Sequence, residues 1–265
     1  MSSAVKVIVL RAAGTNCDYE TCYAFRLAGA AVELVHVNQL IRGEKKLSSY
    51  QILSIPGGFT YGDDIEAGKV LANELKYKLN DQLREFIQQG KLVIGICNGF
   101  QVLVKTGLLP AVTGTADLQE ATLSGNDSGK FEDRWVYLQP FNADKCVFTR
   151  RIKETLYLPV AHAEGKFIPR DQTILQKLKE RGQIIFRYAG PNGNAGDYPW
   201  NPNGSVDGIA GICDPTGRVL GLMPHPERHI DPVQHPRWTR EGLKVKGDGM
   251  LLFENAVRYI TEEYN

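Results

Sequence analysis

Over the first hundred positions, apolar residues come in short runs separated by polar, glycine-bearing stretches. Residues 5–10 form one such run and predict a first strand. Residues 32–37 alternate apolar and polar and predict a second. Residues 50–55, stopped by Pro56-Gly57-Gly58, predict a third, and residues 92–96 a fourth. Between the first two strands, Tyr19, Cys22, Phe25, Arg26 and Leu27 fit a helix with Asp18 as its cap and Gly29 as its stop. Leu71, Leu75, Leu79, Leu83, Phe86 and Ile87 recur at three- and four-residue steps. They predict one helix over residues 69–89, closed by Gly90. Strands alternating with helices imply a parallel sheet covered on both faces, with ligands at the carboxyl ends of the strands. Pro56-Gly57-Gly58 and Cys97 both fall at such ends.

From residue 108 the pattern loosens. Residues 121–123 and 135–138 predict strands on either side of the polar loop 124–129, and residues 157–162 a further extended run. Residues 175–181 predict a short helix and 184–188 another strand. The Gly-, Pro- and Asn-rich stretch 190–204 is too polar to pack on itself. Residues 209–213 and 218–223, joined by Asp214-Pro215-Thr216-Gly217, predict a hairpin, and residues 248–260 a last helix. With no internal repeat and no low-complexity linker, one domain over 1–265 is expected.

The 265 residues are 43% hydrophobic and 23% charged, ordinary for a globular chain, and the net charge of +1 offers no basis for nucleic-acid or membrane-surface binding. No apolar run reaches the roughly 18 residues of a membrane helix. The N-terminus lacks a signal-peptide core, so a cytoplasmic location is expected. The cysteines, Cys17, Cys22, Cys97, Cys146 and Cys213, are scattered and odd in number. A disulfide framework or structural zinc site is not expected, which leaves a single reactive thiol with a distant histidine.

That thiol is Cys97, in Gly95-Ile96-Cys97-Asn98-Gly99 between a predicted strand and helix. The spacing is that of the G-x-S-x-G nucleophile elbow with sulfur for oxygen. A sharp turn there strains the backbone and exposes the side chain, while small flanking residues let neighbouring backbone approach. Cys97 would sit at a helix N-terminus, which attracts negative charge. Taken alone, the pentapeptide also fits a buried cysteine in a tight turn. Of the five histidines, His36 lies mid-strand and reads as structural. His225, in Met223-Pro224-His225-Pro226-Glu227-Arg228, follows a strand between two prolines that favour extended backbone. In an extended run Glu227 shares its side and can fix its tautomer, completing a nucleophile–base–orienter set. A rigid surface turn is the alternative. An oxyanion hole could be built from the N–H of Asn98 and the glycine turn at Gly57-Gly58.

The elbow, Pro56-Gly57-Gly58 and His225-Pro226-Glu227 occur in the order of the class I, triad-type glutamine amidotransferases, which this sequence resembles. Pro56-Gly57-Gly58-Phe59-Thr60-Tyr61-Gly62-Asp63-Asp64, Cys97-Asn98-Gly99-Phe100-Gln101, Val160-Ala161-His162-Ala163-Glu164-Gly165-Lys166-Phe167 and Met223-Pro224-His225-Pro226-Glu227-Arg228 are similar to the glutaminase subunits of phosphoribosylformylglycinamidine synthases. So are Arg11-Ala12-Ala13-Gly14-Thr15-Asn16-Cys17-Asp18 and Pro202-Asn203-Gly204-Ser205. The resemblance spans nearly the whole chain; residues 139–154 and 233–248 look longer than a minimal subunit needs.

The resemblance implies a three-layer αβα, flavodoxin-like fold with a mostly parallel sheet. It implies catalysis by Cys97, His225 and Glu227, an oxyanion hole at Gly58 and Asn98, and a glutamine pocket at Gly57, Gln101, His162, Ala163 and Glu164, with no metal. Glutamine would be hydrolysed through a Cys97 thioester, and ammonia passed to a large synthetase subunit, with a small bridging subunit alongside. ATP and Mg would belong to that partner, this chain holding no cofactor. Consistently, no G-x-x-x-x-G-K-[ST] pattern is present; Gly125-Asn126-Asp127-Ser128-Gly129-Lys130-Phe131 has the wrong spacing. Another triad amidotransferase, a cysteine hydrolase of related fold and a non-catalytic binding subunit remain alternatives.

Overall fold

The computed structural model describes residues 4–115 and 118–264. Its strands are β1 (Lys6–Arg11), β2 (Ala31–His36), β3 (Ile52–Ile55), β4 (Leu92–Ile96), β5 (Ala121–Ser124), β6 (Glu132–Pro140), β7 (Leu156–His162), β8 (Lys166–Pro169), β9 (Ile184–Ala189), β10 (Ile209–Cys213) and β11 (Val219–Leu222). Nine of them form one sheet in the order β2-β1-β3-β4-β11-β10-β9-β6-β7; β5 and β8 form a separate pair. Neighbours from β2 through β11 are parallel, and those from β11 through β7 antiparallel. Only β10 and β6 therefore run against the rest, and the sheet is mostly parallel in strand direction. β3 and β4 are buried at every position, as expected for strands covered on both faces.

The helices are α1 (Asp18–Leu27), α2 (Val37–Ile41), α3 (Lys69–Lys78), α4 (Asn80–Gln88), α5 (Asn98–Lys105), α6 (Gln172–Glu180), α7 (Trp238–Glu241) and α8 (Met250–Glu262). The chain leaves β1 toward β2 on one side and β3 toward β4 on the other. Right-handed crossovers then put α1 and α3–α4 on opposite faces. α8 joins α1, with Phe25 edge-on to Phe253 at 4.9 Å. The reversal of strand order lies between β1 and β3, and it opens a crevice at their carboxyl ends. There Thr15 and Gly58 form an isolated bridge. No helix among the described residues is long and apolar enough to cross a membrane.

Several elements depart from expectation. The predicted helix 69–89 is two helices, broken at Leu79 (φ −130°, ψ 8°). Leu79 is still buried, so the apolar stripe runs through the break; periodicity reports burial, not an unbroken hydrogen-bond ladder. Asp18 does not cap α1 but lies inside its first turn, paired with Arg11 at 3.4 Å. His36 ends β2 and caps α2, its Nδ1 accepting the Asn38 N–H at 3.2 Å. β5 and β6 flank the 124–129 loop but belong to different sheets, since β5 pairs with β8. The polar stretch 190–204 does pack at its end, where Asn203 is fully buried.

Candidate active site

β4 delivers Cys97 directly into α5. Cys97 has φ 52° and ψ −107°, a conformation that costs a non-glycine residue about 1–3 kcal/mol. Backbone bonding holds it there: Cys97 N–H donates to Leu222 O of the adjoining β11 at 2.8 Å. The flanking glycines are steric necessities. A Cβ on Gly99 would lie 1.9 Å from Ile55 O, and one on Gly95 2.5 Å from Gly99 O. The nucleophile elbow is therefore formed, with Cys97 5% exposed.

His225 follows β11, the parallel neighbour of β4. Its backbone is extended (φ −101°, ψ 92°), and its N–H donates to Pro159 O at 2.8 Å. Although β7 is last in sheet order, it reaches the site, and it also sets Ala161 O 3.7 Å from Cys97 Sγ. His225 Nδ1 lies 2.6 Å from Glu227 Oε1. The reason differs from the extended-run expectation: residues Pro226–Arg228 form a 3₁₀ turn, which folds Glu227 back onto the imidazole. Burial alone would push His225 down, but the charges of Glu227 and Cys97 and contacts with the sulfurs of Cys17 and Cys97 hold it well above its ordinary value. Its Nε2 is buried with no hydrogen-bond partner among the described residues, which leaves that nitrogen available to Cys97. Such bonds are often loose without substrate.

Gly58 (φ 141°) lines a crevice with Cys97, Asp63, Gln101 and Glu164. Its volume is about 40 Å³, room for a few water molecules rather than an amino acid. Two contacts bridge its walls. Glu164 Oε2 accepts the Ala67 N–H at 3.2 Å, and Gln101 Nε2 donates to Glu164 O at 2.6 Å. Asn98 is held by its side chain: Thr60 Oγ1 donates to its Oδ1, and its Nδ2 donates to Asp63 and to Gln101, each at 3.0 Å. Gly57, Gly58, Asn98, Gln101, Ala163 and Glu164 thus gather round Cys97, the Gln101 amide already engaged with its neighbours. A wider cavity of about 310 Å³ near Leu40 and Phe86 has no cysteine or histidine in its wall.

His162 borders the crevice, but its ring is committed elsewhere. Asn126 Nδ2 donates to the carbonyls of Lys130 and His162, so its Oδ1 is the acceptor facing His162 Nδ1 at 3.1 Å. Asn203 Oδ1 accepts from Ser205, leaving its Nδ2 to donate to Tyr188 and toward His162 Nε2 at 3.5 Å. The two amides together fix a neutral, Nδ1–H imidazole. Burial, reinforced by the charge of His225, pushes its pKa down to about 3.

The sequence singles out no role for Cys17 or Arg228, and folding brings both to the site. Cys17 Sγ lies 3.9 Å from His225 Nδ1 and accepts from Arg228 Nη2 at 3.1 Å. Burial pushes the Cys17 thiol up, only partly offset by His225. The signal that could have found Cys17 is topological: a residue just past β1 must neighbour the glycine turn after β3.

Residues 4–260 match the family model of the CobB/CobQ-like glutamine amidotransferase domain. The chain is 50% identical over 258 residues to the phosphoribosylformylglycinamidine synthase subunit PurQ of Dehalococcoides mccartyi, covering 97% of this chain and 98% of that one. It is 44% identical over 269 residues to the subunit of the same name from Methanococcus maripaludis, with the same coverage. Among solved structures, PurLQS from Thermotoga maritima superposes with a TM-score of 0.75 at 30% identity, covering 97% of this chain and 99% of that one.

Proposed function

The chain belongs to the CobB/CobQ-like glutamine amidotransferase family, and from that premise we propose that it is the glutaminase subunit of a phosphoribosylformylglycinamidine synthase in purine biosynthesis. The observation that carries the mechanism is the pairing of a strained Cys97 on β4 with a buried His225–Glu227 pair at the end of adjacent β11. One sheet takes strands from residue 6 to residue 222, which supports reading 1–265 as one domain.

Cys97 attacks the side-chain amide carbon of glutamine. The oxyanion forms against the N–H groups of Gly58 and Asn98, whose loss would cost about 3–4 kcal/mol each. His225, through Nε2, protonates the departing nitrogen, and ammonia leaves a Cys97 thioester. The same imidazole then takes a proton from water, and glutamate is released. Glu227 holds Nδ1–H and balances the imidazolium charge. Glutamine enters beside the 63–68 segment, displacing the bond that the Ala67 N–H now makes to Glu164. Gln101, Ala163 and Glu164 then wall the pocket, while the ring of His162, held by Asn126 and Asn203, fixes the wall it belongs to.

Ammonia passes to a large synthetase subunit, with a small bridging subunit in the assembly, in line with the PurLQS likeness. ATP and Mg act on that partner, and this chain carries no cofactor of its own. The expected location is the cytoplasm. In the assembled enzyme Cys97→Ala is expected to abolish glutamine-dependent synthesis and labelling by a glutamine-directed alkylating agent, and to spare ammonia-dependent synthesis. Loss of both syntheses would overturn the assignment.

A further inference from the structure

On the Cys17 side of the imidazole the fold gathers a second set of donors. Cys17 Sγ, His225 Nδ1 and a Glu227 carboxylate oxygen lie within 4.8 Å of one another, and all three side chains are buried. Tetrahedral zinc, with sulfur at about 2.3 Å and nitrogen or oxygen at about 2.0 Å, spaces its donors roughly 3.3–3.5 Å apart. The observed separations are 3.9 Å from Cys17 Sγ to His225 Nδ1 and 2.6 Å from that nitrogen to Glu227 Oε1. Each needs to change by less than about 1 Å to fit that geometry. Glu227 Oε2, the other oxygen of that carboxylate, is also buried and bonded to nothing among the described residues, so a small rotation of the group offers it to an ion while Oε1 keeps its place at the imidazole. An acceptor stranded in this way calls for a partner.

We propose that Cys17, His225 and Glu227 form a binding site for a thiophilic divalent cation of the Zn²⁺ type, and that its occupation switches the glutaminase off. A thiolate–imidazole–carboxylate set selects zinc over magnesium or calcium. Binding sends two protons to solvent, the Cys17 thiol proton and the one shared by His225 and Glu227. It captures the base and its orienter while leaving Cys97 unligated. Arg228, whose side chain is 35% exposed, donates to Cys17 Sγ at 3.1 Å, and its guanidinium must give up that bond when the sulfur takes an ion. The inhibitory consequence rests on the roles proposed for His225 and Glu227; the binding does not.

The test uses the full chain, with Zn²⁺ affinity read by competition with a chromophoric chelator and Co²⁺ as a spectroscopic probe of a sulfur ligand. Cys97→Ala is expected to bind Zn²⁺ as the wild type does and to keep the thiolate-to-cobalt charge-transfer band. Cys17→Ser is expected to lose that band and at least about 100-fold in affinity, since removing even an outer partner of a metal costs about 10- to 100-fold. In the assembled enzyme Zn²⁺ should suppress glutamine-dependent but not ammonia-dependent synthesis, reversibly with chelator. Wild-type affinity in Cys17→Ser would overturn the proposal. So would loss of the cobalt band in Cys97→Ala, which would place the ion on the nucleophile; that arm decides the matter even if Cys17→Ser fails to fold. Glutamine hydrolysis by chelator-treated enzyme reads the proposed function separately.

Discussion

Gly57→Ala is the sharpest probe of the site. A Cβ at Gly57 would stand 2.7 Å from His225 Cε1, 3.2 Å from Cys97 Cβ and 3.4 Å from Cys17 Sγ. The missing side chain is the space in which the two sulfur residues and the imidazole meet. To regain the 3.4 Å of ordinary contact from 2.7 Å, the ring must retreat by about 0.7 Å. It has little freedom to do so, being 1% exposed and tied to Glu227 at 2.6 Å. A misplacement of about 1 Å at reacting groups costs on the order of 100-fold. The expected loss is therefore about 30- to 100-fold in glutamine-dependent kcat, or about 2–3 kcal/mol of barrier. The assay compares glutamine- and ammonia-supported synthesis by the assembled enzyme, with thermal unfolding of the isolated variant as control. A properly folded alanine variant with glutamine-dependent kcat within about twofold of wild type would refute the placement of Cys97 and His225 around Gly57.

Glu227→Gln keeps the shape at His225 but removes its charge. The imidazole pKa should fall, as followed by NMR of labelled histidine, and glutamine turnover should drop by about 10³- to 10⁴-fold, the scale for a mis-set triad tautomer; an unmoved titration would refute the electrostatic role. The depressed pKa of His162, about 3, makes its stabilising contribution complete above the unfolded value near 6.5 and progressively lost as pH falls through it toward 3. At pH 5 that loss is about 2 kcal/mol. His225 has the opposite sign: its raised value stabilises below 6.5 and fades as pH rises. Denaturation at pH 7 and pH 5 should therefore show His162→Gln losing less stability on acidification than wild type, and an equal loss in both would count against a neutral buried His162.

The parts of the site legible in sequence were those governed by local sterics. A strand-to-helix turn around one thiol needs small neighbours, and Gly95 and Gly99 declare it; the hairpin to Met223 declares itself by its turn residues. What stayed hidden depends on which distant strands become neighbours. Cys17 reads as one scattered cysteine until β1 and β3 are placed side by side. Asn126 and Asn203 are loop residues by composition, yet both are buried around His162. The partner of β5 lies beyond two intervening strands. Glu227 reached His225 through a 3₁₀ turn where an extended run was expected, because Pro226 suits the first position of a helical turn as well as it suits a strand.

The register of β4 against β11, with Ile96 opposite Leu222, has a consequence for biosynthesis. A ribosome releases β4 and the elbow long before residues 209–228, and without β11 nothing accepts the Cys97 N–H or brings an imidazole beside the thiol. On the proposed mechanism, the nascent chain carries Cys97 without its base for about half of translation, and the hairpin that closes the sheet brings the two together. The proposed mechanism thus ties ammonia release to completion of the fold, and under it a truncated product that ends before β11 has no means of wasting glutamine.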